Sequence, residues 1–236
     1  MKRLFVYTML LTCAVSFTSC SKDEIEDDKN YDFTPTPIVA VDLNLSKKWC
    51  NMNVGAVAPE DYGKYYAWAE ITADKSSYDW GNYKYGRYWN QTTKYPGVDE
   101  RSILEPEDDA ATMNLGSQWE TPTEADWQEL IDKCKWVWTT GYGVNSIPGY
   151  IVYKMKDTDN YTLEDTHIFL PAAGYYNGTK RFVRGSYGHY WSSTLKFNEE
   201  EYCSKGKRML MTKDKIEISA QYKCYGQSVR AVLKNQ

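Results

Sequence analysis

Twenty-one tyrosines and nine tryptophans in 236 residues constrain this chain more than any other feature. Tryptophan builds cores readily, whereas every buried tyrosine needs a hydrogen-bond partner for its hydroxyl. So many phenols point to a strand-rich fold that leaves part of the tyrosine set at the surface. Two explanations of that surface set stay open. The rings pave a β-rich exterior, or they form an adaptable recognition face, because a tyrosine offers large contact area at low entropy cost. From about Val39 onward the chain suits one domain with one sizeable core. Its net charge of −4 and pI near 5.4, with basic residues interleaved among acidic ones, argue against nucleic acid. No repeat of 20–50 residues appears.

The N-terminus carries an address. Lys2 and Arg3 precede an apolar run from Leu4 to Val15, and Phe17-Thr18-Ser19-Cys20 closes it with small residues and a cysteine. That order is a secretory signal, and the run is too short to span a bilayer, which takes about 20 residues. It resembles a bacterial lipoprotein signal over residues 1–19, with Phe17 as a departure. The resemblance implies that Cys20 is lipidated and becomes the mature N-terminus, so that the membrane is met through this lipid only. Residues 20–38 follow as an acidic, flexible tether that cannot bury a core. Lys22-Asp23-Glu24 within it is either plain solvated spacer or resembles the signal that sends Bacteroidetes lipoproteins to the cell exterior. Pro35 and Pro37 stiffen the approach to the domain at 39–236.

Local patterns predict an α+β chain. Val41–Leu45 alternates like a strand, Tyr65–Ala69 reads as another, and a tyrosine-rich loop runs from Ser76 to Val98. Proline and acids from Glu105 to Asp109 mark one helix start. Thr123-Glu124-Ala125-Asp126 resembles a capping box and opens a second helix to about Lys135. Gly149–Met155 and Thr166–Ala173 read as paired strands, and Tyr187–Leu233 as strands and turns. Met209–Met211 and Ile216–Ile218 flank a two-residue turn at Lys213-Asp214, which places Cys203 directly opposite Cys224. Opposed positions lie close enough for a bridge, and export permits one. Cys50 and Cys134 read as buried thiols or a core disulfide.

Five motif blocks in order carry a more specific resemblance. They are Leu45–Trp49 with Asn53-Val54-Gly55-Ala56 and Tyr66-Ala67-Trp68; Pro106–Ala111 leading to Pro122–Trp127; Phe169–Gly174; Tyr190–Thr194; and Tyr225–Arg230. Together they resemble the Fibrobacter succinogenes major paralogous domain of Bacteroidetes surface lipoproteins, across about Val41 to Leu233. The resemblance implies a C-type lectin-like fold, two helices packed on twisted antiparallel sheets with long loops, related to that of formylglycine-generating enzymes. Glu120 departs from the family, which has arginine there, so an ion pair is expected to be absent or inverted.

A fold does not name a function, so the sites are argued from residues. The calcium-dependent lectin triplets are missing, and Asp157-Thr158-Asp159-Asn160 lacks the later ligands of a calcium loop. Glu105, Glu107, Asp108 and Asp109 are explained by a helix start without a cation. Two histidines, His167 and His189, cannot build a multi-histidine metal site, and Gly185-Ser186-Tyr187-Gly188 falls short of a nucleophile elbow. No metal or cofactor is expected, and no catalysis. The expectation is a non-catalytic module on the outer membrane, lipid-anchored and facing outward, that binds a surface glycan or protein. The alternative is a structural envelope or fimbria-associated component. In the implied fold, the ligand face comprises Tyr175, Tyr176, Asn177, Arg181, Tyr187, His189, Tyr190, Lys196, Phe197, Asn198 and Tyr222, with Trp191 as a core residue.

Overall fold

The computed structural model describes residues 36–96, 102–197 and 204–235. Cys20 and the tether lie outside the described residues, as do Asn198 and Cys203. The described chain is α+β, mostly antiparallel sheet with two α-helices.

The two ends of the domain meet in one sheet. Strands β1 (Ala40–Val41), β2 (Trp49–Asn53), β3 (Trp119–Glu120) and β12 (Arg230–Leu233) pair in the order β1-β2-β12-β3. Both faces of this sheet are covered. Cys50, Met52 and Val54 alternate onto one side, with Trp68, Trp119, Trp191 and Ala231. Trp49 and Val232 face the other, with Trp127, Leu130, Tyr190 and Met209. Alternation sorts side chains because successive strand residues point to opposite faces.

The middle of the chain forms a meander of β4 (Cys134–Tyr142), β5 (Ile147–Lys154) and β6 (His167–Pro171). The closing segment forms a second meander of β9 (Tyr187–Leu195), β10 (Lys205–Thr212) and β11 (Lys215–Tyr222). Between them sits a small hairpin, β7 (Tyr175–Asn177) with β8 (Lys180–Phe182). Thr212 pairs with Lys215, so the β10–β11 turn has the two residues expected of it.

Helix α2 (Glu124–Lys133) begins at a complete capping box: the Thr123 hydroxyl accepts from the Asp126 amide, and the Asp126 carboxylate accepts from the Thr123 amide. The chain turns into β4 at Cys134, two residues before the expected end of the helix. Helix α1 (Ala110–Leu115) is capped by Asp109, after a single 3₁₀ turn at Pro106–Asp108. Two expected strands fail for local reasons. Past Val41, Asp42 Oδ1 accepts the Asn44 amide at 2.9 Å and Asn44 takes φ +63°, which bends the chain out of the sheet. At Tyr65–Ala69 only Tyr66 bridges, to Gln227, and Ala69 turns at φ +63°.

The tyrosines divide between core and surface, as their number implies. Among the described residues eight are buried, Tyr65, Tyr78, Tyr83 and Tyr190 included. Backbone carbonyls supply the hydroxyl partners: Tyr65 donates to Ala173, Tyr78 to Tyr65, Tyr83 to Trp68 and Tyr190 to Pro171, all within 2.6–3.0 Å. Strand ends and loops expose the carbonyls that make this cheap.

Arg230 is fully buried and has no carboxylate partner among the described residues. It donates to Asn53 Oδ1, Cys50 O and Phe169 O at 2.9, 2.9 and 2.6 Å, tying β12 to β2 and β6. Glu120 pairs with Lys47 at 2.9 Å, and Lys47 also reaches Asp126 at 2.9 Å.

Candidate functional site: an aromatic cleft

A cleft of about 620 Å³ opens between the tyrosine-rich loop and the end of β11, lined by Asp79, Trp80, Trp89, Asn177, Ser204, Tyr222, Cys224 and Tyr225. Volumes of 300–1,000 Å³ are typical of small-molecule sites. The loop folds as a 3₁₀ turn at Trp80–Asn82 because Asp79 caps it, accepting the Asn82 amide at 3.1 Å. Ser77 donates to the other carboxylate oxygen. Those bonds, the Ser77 one foremost, hold the Asp79 carboxyl below its usual range, so it stays ionised at neutral pH.

The rings form a continuous wall. Trp80 meets Tyr222 edge to face at 6.2 Å between centroids, and Tyr222 meets Tyr225 at 6.0 Å. Tyr225 lies nearly parallel to Tyr175, 5.8 Å away at 10°. Asn177 Nδ2 donates to the Tyr225 hydroxyl at 3.0 Å, fixing the amide at the rim. Lys205 sits 5.0 Å above the Tyr222 ring. Ser204 is wholly buried and its hydroxyl has no hydrogen-bond partner among the described residues. Such a wall can stack on a ring-shaped ligand, while Asp79 and Asn177 bond its polar edges.

Cys224 is a free, buried thiol, and Cys203, its expected bridge partner, lies outside the described residues. The hairpin register agrees with the sequence, but β11 stops at Tyr222 and the chain then turns Cys224 inward against Tyr65, Tyr78 and Tyr83. Burial pushes its thiol up to about 12, which keeps it protonated and a poor nucleophile. Cys50 and Cys134 are likewise free and buried, not paired with each other.

The expected ligand face divides. Asn177 and Tyr222 line the cleft, and Tyr175 stands one ring away. Tyr176 is half-buried, packed 4.8 Å from Tyr65 and 5.5 Å from Tyr78. Arg181 and Tyr187 are exposed on the neighbouring surface, with Phe197, while Lys196 is half-buried. Tyr190 belongs to the core, fully buried between Trp127 and Met209. His189 is also buried, its Nδ1 2.6 Å from Arg208 Nη1. Strand β9 is covered on both faces, so alternation could not separate inward from outward residues there. Trp191 is in the core as expected, its indole donating to Tyr66 O at 2.8 Å.

Sequence reasoning passed over Asp79, Trp80, Trp89 and Tyr225. The available signal was Tyr78-Asp79-Trp80-Gly81-Asn82 inside a polar loop, where two large rings have no strand or helix to pack into. His167 is held from both sides, by the Tyr142 hydroxyl at 2.9 Å and Asp165 O at 2.7 Å, in keeping with a structural role.

The acidic group at Glu105, Glu107 and Asp108 brings three carboxylates within 4.8 Å of one another. Lys94 already sits among them, 2.5 Å from Glu105, 3.5 Å from Glu107 and 2.5 Å from Asp108. Burial alone would raise the Asp108 carboxyl, but bonds from Lys94, Tyr85, Lys84 and Tyr95 outweigh it and hold it low. A lysine thus supplies the charge a cation would bring.

No protein-family model, curated protein or solved structure matches this chain.

Proposed function

We propose that this protein is a non-catalytic, lipid-anchored recognition module of the outer cell surface, and that it binds a glycan in the aromatic cleft. The observation that carries the reading is the wall of Trp80, Tyr222 and Tyr225, with Trp89 beside it and with Asp79 and Asn177 as polar groups. Pyranose rings present apolar C–H faces to aromatic planes and hydroxyl edges to carboxylates and amides, and this cleft offers both. The antiparallel sheets with two helices, and the five motif blocks, support a C-type lectin-like scaffold of the Fibrobacter succinogenes paralogous-domain kind. The signal ending at Cys20 supports the anchor.

The test is an array of glycans and surface proteins probed with the purified chain. A selective glycan hit is expected, persisting in chelator because lysine rather than a metal neutralises the acidic group. Trp80→Ala and Tyr225→Ala should each weaken it by about 1–2 kcal/mol, as truncated aromatic anchors do. Binding unchanged in both variants would move the site elsewhere. Silence on every probe would favour a structural envelope component.

A further inference from the structure

The surface beside the cleft is basic in a chain whose acids outnumber its bases, 32 to 28. From Thr166 to Asn198 there are four cations, Lys180, Arg181, Arg184 and Lys196, and no aspartate or glutamate. The first three stand exposed on β8 and the turn after it. Among the described residues none of the three makes an ion pair. Arg184 instead lies 3.7 Å over the Tyr62 ring, a contact that leaves its charge uncompensated. Some exposed cations elsewhere are paired, Lys64 with Asp74, Lys133 with Glu129 and Lys215 with Glu217, while Arg87 and Lys213 stand singly rather than as a group. Glu199, Glu200 and Glu201, the next acids along the chain, lie outside the described residues.

The hairpin register connects this charge to the cleft. Lys180 pairs with Asn177 and Phe182 with Tyr175, so these four side chains share one face. Asn177 and Tyr175 are the residues that touch Tyr225 at the cleft rim. A ligand leaving the cleft over Tyr225 and Tyr175 therefore passes Lys180 first; Arg181, paired with Tyr176, projects from the other face of the exposed hairpin, and Arg184 follows in the turn, so a polymer reaches these two by wrapping the hairpin edge. Within the cleft, Asp79 follows Tyr78, which bonds Gly178 of the same hairpin turn in both directions at 2.9 Å, and its ionised carboxylate favours hydroxyls over an anion there.

Resting on the glycan reading of the cleft, we propose that the ligand is an anionic polysaccharide. An uncharged sugar seats against Trp80 and Asp79, and carboxylate or sulfate groups on neighbouring units meet Lys180, Arg181 and Arg184. Lysine and arginine bind such oxyanions through charge-assisted hydrogen bonds. A flexible, repeating polyanion suits the arrangement because it can occupy both regions at once, which multiplies affinity without demanding a rigid interface.

The test compares immobilised hyaluronan and unsulfated chondroitin, in which carboxylated and uncharged sugars alternate, with uncharged mannan and amylose, together with anionic phosphatidylglycerol vesicles, all against the purified chain. The polyanions should bind at least about tenfold tighter than the uncharged polymers at about 50 mM salt, and the margin should shrink at about 300 mM as exposed charges are screened. The combined variant Lys180→Gln, Arg181→Gln, Arg184→Gln should cut the preference below about twofold with unchanged thermal unfolding, and Trp80→Ala should weaken all polymers alike. Uncharged polymers binding as tightly as charged ones, or a preference that survives the triple variant, overturns the anionic assignment and leaves the glycan reading standing. Capture by vesicles alone, binding that Trp80→Ala does not weaken, or no binding to any polymer overturns both.

Discussion

Lowering the pH from 7 to 5 should destabilise this protein through a single side chain, His189. Its ring is 4% exposed, its Nδ1 faces Arg208 Nη1 at 2.6 Å, and its Nε2 has no partner among the described residues. Tyr175 and Tyr187 flank it at 4.7 and 6.1 Å. The nearest charge is thus Arg208 itself, whose guanidinium also donates to Ser219 Oγ and feels Glu217 at longer range. Burial, reinforced by Arg208, pushes His189 down to about 3. The unfolded chain binds a proton near pH 6.5 and the folded chain does not, so stability rises with pH throughout that window. Between pH 7 and 5 the linkage amounts to about 2 kcal/mol, a sizeable share of the 5–15 kcal/mol typical of a domain.

Urea unfolding at pH 7, 6 and 5 at constant ionic strength measures this directly. The wild type should lose about 2 kcal/mol over the interval, and His189→Asn, whose amide oxygen can replace Nδ1 as acceptor for Arg208, should lose less than about 0.5 kcal/mol. Groups common to the two proteins cancel from the difference. Carboxylates held low in the fold, such as Asp108 and Glu129, lose their contribution only below about pH 5, outside the interval. Parallel profiles for the two proteins, or a His189 imidazole signal that titrates near 6.5 in NMR spectra, would refute the reasoning.

Arg230→Met should cost roughly 3–5 kcal/mol in chemical unfolding, because Asn53, Cys50 O and Phe169 O lose charged donors at once; a loss below about 1 kcal/mol would show that these groups find other partners. Trp191→Ala should cost a similar 3–5 kcal/mol as the emptied site collapses only in part, and an unchanged midpoint would contradict its burial. Thiol labelling of the native protein should leave Cys224 unmodified until denaturant is added, given its burial and raised pKa; non-reducing peptide mapping that recovers a Cys203–Cys224 bridge would overturn this. Labelled palmitate should enter the wild type and not Cys20→Ala, and unchanged membrane association of that variant would remove the anchor.

Some of this architecture was legible from short stretches and some was not, and the division follows the range of the forces involved. The capping box at Thr123–Asp126 and the two-residue turn at Lys213-Asp214 are set by neighbours within a few residues, and both formed where the pattern placed them. Strand β4 was hidden because Trp127, Leu130, Ile131 and Cys134 keep helical spacing up to its first residue, and no glycine or proline marks the change. Which tyrosines go inside was hidden for a related reason. Composition counts hydroxyls but cannot see that Ala173, Trp68 and Pro171 carbonyls wait inside for them.

The cleft was the least legible part. Its wall is assembled from Asp79 and Trp80, Asn177, Ser204, and Tyr222 to Tyr225, segments that only the tertiary fold brings together. What the sequence carried instead was a bias in chemistry: tryptophans stranded in a polar loop, and a long stretch free of carboxylates. Both features are costly to keep at a surface that does nothing, since exposed rings invite aggregation and unpaired like charges repel. In this fold they fall on adjoining sides of one rim, joined by the Asn177–Lys180 pair of the β7–β8 hairpin. That adjacency is a property of the register: a one-residue slip would turn Asn177 and Tyr175 away from Tyr225 and leave the rings and Lys180 on opposite faces.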